Sequence, residues 1–181
     1  MKSQYSTRNL VTMALFAAIL CVSAYISVPL PNGSHITFLN FILLIIALLF
    51  PASQSFLISL VWLLLGAVGI PVFISGAAGI GYLMSAWGGY NFGFIFVTFF
   101  IPLIRPKQYK RIIYTILAIL GAVLIDLIGM FWLMVVGELS LKAAFLQGFV
   151  TFIPLDLVKA IVAAQIIPAF RRIILLNQVD E

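Results

Sequence analysis

The sequence predicts an all-α integral membrane protein in which one domain, residues 1–181, forms six transmembrane helices. Three observations carry that prediction. Hydrophobic residues make up 64% of the chain and charged residues 8%, whereas a soluble domain carries about 25% charged residues. The mean hydropathy is +1.24, and a small globule has too much surface to hide that much apolar material. The bilayer must therefore be the solvent for most side chains. The apolar runs are also continuous, without the alternation of a transmembrane barrel strand, which favours helices. At about 20 residues per crossing the chain has room for about six spans.

The first span covers 10–28 and ends at the turn cluster Pro29-Leu30-Pro31-Asn32-Gly33. It lacks an A-x-A cleavage site and follows a basic segment, so it reads as retained. Cys21, the only cysteine, falls inside it; no intramolecular disulfide can form, and the residue reads as a small apolar one. The second span, 36–50, is short and closed by Pro51. The third is 55–66. A glycine-rich stretch, 66–81, follows and is too rich in glycine for one straight helix. The remaining spans are 90–104, 112–136 and 145–172.

Orientation follows from positive charge in short loops. Lys2 and Arg8 precede the first span. Arg105, Lys107, Lys110 and Arg111 separate the fourth from the fifth, and Arg171 and Arg172 close the sixth. With six spans these clusters share one side, which should be the cytoplasm, with both termini there. Segments 29–35, 66–86 and 137–141 then lie outside. Irregular backbone at membrane depth survives only where protein buries it or where it lines a cavity, so the glycine-rich segment reads as the cap of an outward-opening pocket. The net charge of +5 is explained by these clusters and implies no nucleic acid.

Within "FIPLDLVKAIVAA", residues 152–164, Asp156 and Lys159 are three apart and share a helical face. A charge inside a membrane helix costs about 2.5–3.5 kcal/mol on insertion scales. The pair is either a ligand site or an ion pair that locks helix packing. Pro154, tolerated best in a first turn, marks a break or kink that would free backbone donors near Asp156. Asp126, in "LIDLIGMFWL", must either find donors or stay protonated; structural hydrogen bonding is the first reading and ligand contact the second. Phe73, Tyr82, Trp87, Tyr90 and Trp132 read as interfacial aromatics or as pocket walls. Trp87 and Tyr90 are the stronger candidates for a wall, because Gly88-Gly89 between them allows close approach to the backbone. His35 stands without a second ligand residue at metal-binding spacing, so no metal site is expected. Asn32-Gly33-Ser34 matches a glycosylation sequon, a pattern common by chance. No G-x-S-x-G or H-E-x-x-H occurs, so no catalytic residues are expected. No phosphate loop of the form G-x-x-x-x-G-K-S/T occurs either, which excludes a built-in ATPase. Ala14 and Ala18 share a face of the first span, the small-residue spacing that lets helices pack closely in lipid.

The stretch "LLLGAVGIPVFISGAAGIGYLMSAWGGYNFGF", 63–94, with "IDLIGMFWL" and "FIPLDLVKA" following in order, resembles the BioY family, the biotin-binding S components of energy-coupling factor (ECF) transporters. The resemblance implies an S-component-like bundle of six helices in a bacterial cytoplasmic membrane, with a glycine-rich extracellular segment between helices 3 and 4 and no energy source of its own. It implies partners in a transmembrane coupling protein and two cytoplasmic ATPase subunits, contacted through the Ala14/Ala18 face. It implies a bound vitamin rather than a cofactor. The expected binding residues are Thr37, Phe73, Trp87, Gly88, Tyr90, Asn91, Asp156 and Lys159, with Lys159 on the ligand's carboxylate. Several family positions differ here. Ser85-Ala86 precede Trp87, Asn91 stands where some members have arginine, and Leu39 and Ala77 replace polar residues. These changes suggest a more apolar pocket and bring in lipoate, which shares biotin's valerate tail and lacks its ureido donors, as the competing ligand.

Overall fold

Residues 7–31 and 33–176, the side chains of 174–176 excepted, are described by a computed structural model. Lys2 of the first basic cluster and Asn32 of the sequon-like triplet lie outside the described residues. In chain order, helix α1 (Thr7–Ser23) leads into strands β1 (Ser27–Pro29) and β2 (His35–Thr37). Helices α2 (Leu39–Leu49) and α3 (Ala52–Ala67) follow, then a 3-10 turn at Ile74–Gly76 and the short α4 (Ile80–Leu83). Helices α5 (Gly89–Ile104), α6 (Arg111–Val136), α7 (Leu141–Phe145) and α8 (Ile153–Leu176) complete the chain, with a π-helical turn, Leu146–Val150, between α7 and α8.

The six expected helices are present, with three changes at their ends. The first stops at Ser23 instead of running to residue 28: Tyr25 N–H and Ile26 N–H close tight turns on the carbonyls of Val22 and Ser23. The next residues then pair antiparallel with β2, Ser27 opposite Thr37 and Pro29 opposite His35. A two-stranded ribbon satisfies backbone groups as a helix would, and a short apolar run does not say which of the two it will do. The second helix accordingly starts at Leu39, after β2. The sixth is broken: Pro154 has no N–H to give to the preceding turn, and the backbone widens there to the π spacing, with Thr151 N–H reaching Leu146 O at 3.2 Å. The expected free donor near Asp156 is absent, because Asp156 N–H bonds Phe152 O at 3.0 Å.

The bundle is apolar outside as well as in its core, and a few polar side chains are buried between its helices. Ile112, Ile116, Leu120, Phe131 and Val135 of α6 face outward. Ser59 and Thr98 are buried and hydrogen-bond each other at 2.7 Å between α3 and α5. Gln165 Nε2 donates to Thr115 Oγ1 at 2.9 Å between α8 and α6. A surface that is apolar all round fits a lipid solvent, in which buried polar pairs hold helices together. Only α6 and the segment Leu141–Ile173 are long and apolar enough to cross a bilayer unaided among the described residues. The 11-residue α2 is nearly all buried among its neighbours, so the bundle rather than lipid surrounds it.

At the basic end of the bundle, Tyr114 is fully buried. Its hydroxyl accepts from Arg105 Nη1 at 2.9 Å and from Arg171 Nη2, and donates to Pro106 O at 2.9 Å. Arg105 Nη2 continues to Phe50 O at 3.0 Å. This hydroxyl therefore joins the ends of α2, α5, α6 and α8. Tyr114→Phe should lower stability by about 1–3 kcal/mol, since two guanidinium donors lose their acceptor. Thermal unfolding in detergent checks this; an unchanged midpoint would make the node dispensable.

Candidate functional site

The end of the bundle opposite the Arg105–Arg111 loop encloses a cavity of about 360 Å³, within the size range of small-molecule sites. Its walls come from the ribbon, the start of α2, the 74–77 turn, α4, α5, α6 and the α7–α8 junction.

One wall is aromatic. The Trp87 and Tyr90 rings stack at 6.2 Å, and Phe152 stands edge-on to Tyr90 at 5.5 Å. Tyr90 keeps its place for two local reasons. A Cβ on Gly129 would sit 2.3 Å from its ring, so α6 can approach α5 there only with glycine. Its hydroxyl donates to Gly148 O at 2.5 Å, a carbonyl within the π turn. Tyr82, on the neighbouring wall, stacks on Phe73 at 5.4 Å. Burial pushes its phenol up to about 12, so it stays a neutral hydrogen-bonding group.

The other wall is acidic. Asp156, from the first turn of α8, and Asp126, from the middle of α6, both line the cavity, and their carboxyl groups are neighbours. They are 5% and 1% exposed. Asp156 Oδ1 accepts from Lys159 Nζ at 2.8 Å. Asp126 Oδ2 has no hydrogen-bond partner. A buried acceptor without a donor is costly and calls for an explanation, and Asp126 belongs to the cavity wall.

Of the expected binding residues, Thr37, Trp87, Tyr90 and Asp156 line the cavity. Four do not, and each has a physical reason. Phe73 is fully buried against Trp62 at 5.3 Å and lies behind Tyr82. Gly88 serves packing: a Cβ there would lie 1.9 Å from Leu83 O. Asn91 is fully buried and its Nδ2 donates back to Gly88 O at 3.1 Å. Lys159 stands behind Asp156, with its ammonium donating to Thr37 O at 2.7 Å, Asn40 Oδ1 at 3.3 Å and Asp156 Oδ1. An ammonium has three N–H groups, so these three acceptors take them all. Ala14 and Ala18 lie on an exposed face of α1 between Val11, Leu15, Ile19 and Val22.

Asn40, Phe152 and His35 line the cavity without having been singled out for it. Phe152 had a signal, since it opens the same motif as Asp156. Asn40 had one in its place immediately before a fully apolar helix run.

A helical bundle with an apolar exterior around a cavity with one acidic and one aromatic wall is a membrane-embedded small-molecule-binding protein. The chain belongs to the BioY family, whose model matches residues 1–175. The biotin transporter BioY of Thermotoga maritima is 33% identical over 88% of this chain and 93% of its own length. A probable biotin transporter BioY of Pyrococcus horikoshii is 34% identical over 83% of this chain and 88% of its own. The crystal structure of the S-component for biotin from an ECF-type ABC transporter superposes with a TM-score of 0.87, covering 95% of both chains at 22% identity. That likeness establishes the fold.

Proposed function

We propose that this chain is the substrate-capture subunit of an ECF-type ABC importer and that its ligand is biotin. The observation that carries the reading is the pair of neighbouring buried carboxyl groups, Asp126 and Asp156, on the wall of a cavity in a BioY-family chain. Biotin's ureido ring presents two N–H donors on either side of a carbonyl. Two adjacent carboxyl groups are acceptors for those donors. Asn40, whose Oδ1 is taken by Lys159 and by Phe41 N–H, keeps its amide hydrogens for the ureido oxygen. Trp87, Tyr90 and Phe152 cover the apolar rings and chain. Lys159 then acts through Asp156, by holding its carboxylate and the start of α2 in place.

The same acceptors argue against lipoate. Its dithiolane has no hydrogen to offer them, and a polar site left unpaired by an analogue rejects it strongly. Isothermal titration of the purified chain tests this. Biotin should bind about two orders of magnitude or more tighter than lipoate. Lipoate binding as tightly as biotin would overturn the substrate.

The cluster Arg105, Lys107, Lys110 and Arg111, with Arg8 and with Arg171 and Arg172, supports a six-span topology with both termini in the cytoplasm of a bacterial cell. The cavity then opens outside. The chain carries no phosphate loop, so import would be driven by a transmembrane coupling protein with two cytoplasmic ATPases.

A further inference from the structure

Resting on the biotin reading, the next question is which group receives the ligand's own carboxylate. The carboxyl wall offers it no free cation. Lys159, the cation nearest that wall, has its hydrogens taken up by Thr37 O, Asn40 Oδ1 and Asp156. Among the described residues that line the cavity, His35 is the one whose side chain can carry positive charge.

Its placement suits the task. His35 and Thr37 are two apart on β2, and alternate residues of a strand share a face. Both line the cavity, whereas Ile36 between them does not. Two residues of strand cover about 7 Å, and Thr37 is tied through Lys159 to Asp156. A ligand with its ring at the carboxyl pair can therefore extend a short acyl chain along β2 toward His35.

The ring is also held. His35 Nδ1 lies 3.1 Å from Ser75 Oγ, which is 2.8 Å from Ser27 Oγ. Ser75 is itself fixed in left-handed backbone, φ 57°, by its N–H bond to Ala24 O at 3.0 Å. With Nδ1 facing two hydroxyls, Nε2 is the nitrogen left for a ligand. If Nδ1 accepts from Ser75, the neutral ring carries its hydrogen on Nε2. In the cation both nitrogens carry one, and the hydroxyl chain reverses direction without breaking. Nε2 is a donor in either case.

We propose that His35 Nε2 donates to the ligand's carboxylate, that Ser75 is its positioning residue, and that this contact makes the site select acids. The test is titration of biotin and its primary amide against wild type, His35→Ala, His35→Gln and Lys159→Ala, in detergent, with thermal melting as a check on folding. Wild type should prefer the acid. His35→Ala should weaken the acid about ten- to a hundredfold, the range of one charge-assisted hydrogen bond, and the amide by no more than about twofold. Lys159→Ala should weaken acid and amide alike, because Lys159 acts through Asp156. Equal losses for acid and amide in His35→Ala overturn the proposal. So does loss of acid preference in Lys159→Ala while His35→Ala retains it. Should His35→Ala fail to fold, the same acid-to-amide ratio is read from His35→Gln, which keeps a donor but not the imidazole's shape and should lose part of the preference; full preference in that variant overturns the proposal. Failure of wild type to bind either compound would instead sink the biotin reading itself.

Discussion

Asp126→Leu should stabilise the ligand-free protein and weaken biotin binding about five- to a hundredfold or more. Asp126 is 1% exposed in the middle of a 26-residue apolar helix, and its Oδ2 has no donor. Leaving such an acceptor unpaired costs about 1–3 kcal/mol, and an isosteric apolar side chain removes that cost. The same substitution removes an acceptor for a ureido N–H. Losing it leaves a buried ligand N–H unpaired, which costs about 1–3 kcal/mol, or about five- to a hundredfold in affinity, before the neighbouring Asp156 is perturbed. Opposite signs for stability and binding are what a site held for its ligand produces. A structural residue gives the same sign for both. Thermal unfolding without ligand and titration with biotin are the two measurements. A lower midpoint with an affinity loss that only follows the unfolding would make Asp126 a packing residue. Asp126→Asn serves as the companion: it keeps shape while replacing one acceptor by a donor, and should bind poorly without a comparable gain in stability.

The helices were readable because each is a long apolar run bounded by glycine, proline or basic residues. α6 shows this best: residues 112–136 were expected and Arg111–Val136 is observed. The ribbon was not readable. Its two strands are three residues each, too short for alternation to separate them from the end of a helix. The π turn before α8 was signalled only as a break at Pro154, and its consequence, a carbonyl at Gly148 offered to the Tyr90 hydroxyl, depends on a partner 58 residues away.

The site divides along the same line. That Asp156 and Lys159 share a face follows from their spacing. That the ammonium's other two hydrogens go to Thr37 O and Asn40 Oδ1 does not, since those acceptors are more than a hundred residues distant in sequence. Asp126 and Asp156 lie on different helices, and no local pattern announces that they meet. The pocket was expected to be more apolar because family polar positions hold Leu39 and Ala77. The polarity is supplied instead by Asn40, next to Leu39, and by Asp126. Gly88-Gly89 pointed to Trp87 and Tyr90, which both line the cavity, although the glycine that makes room for the Tyr90 ring is Gly129, on the facing helix.

Ala14→Leu and Ala18→Leu should each reduce biotin uptake by cells by about tenfold or more while changing the affinity of the isolated subunit by less than about twofold. Both residues are exposed on α1, in a stripe bordered by the larger Val11, Leu15, Ile19 and Val22. The buried side of the same helix is Met13, Phe16 and Leu20, and the two alanines contribute nothing to it. Neither alanine lines the cavity. Added bulk at these positions therefore disturbs neither the core nor the ligand. What it does disturb is close approach by another helix, for which alanines at four-residue spacing leave room and leucines do not. In lipid the apolar driving force between helices is absent, so a contact of this kind rests on packing and is sensitive to a few methyl groups. Uptake of labelled biotin and titration of the purified subunit separate the two effects. Co-purification of an energising module with wild type, and its loss from the variants, would locate the defect in assembly. Parallel losses of uptake and affinity would place this face in the fold or the pocket. Unchanged uptake would mean that the energising module docks on another face of the bundle.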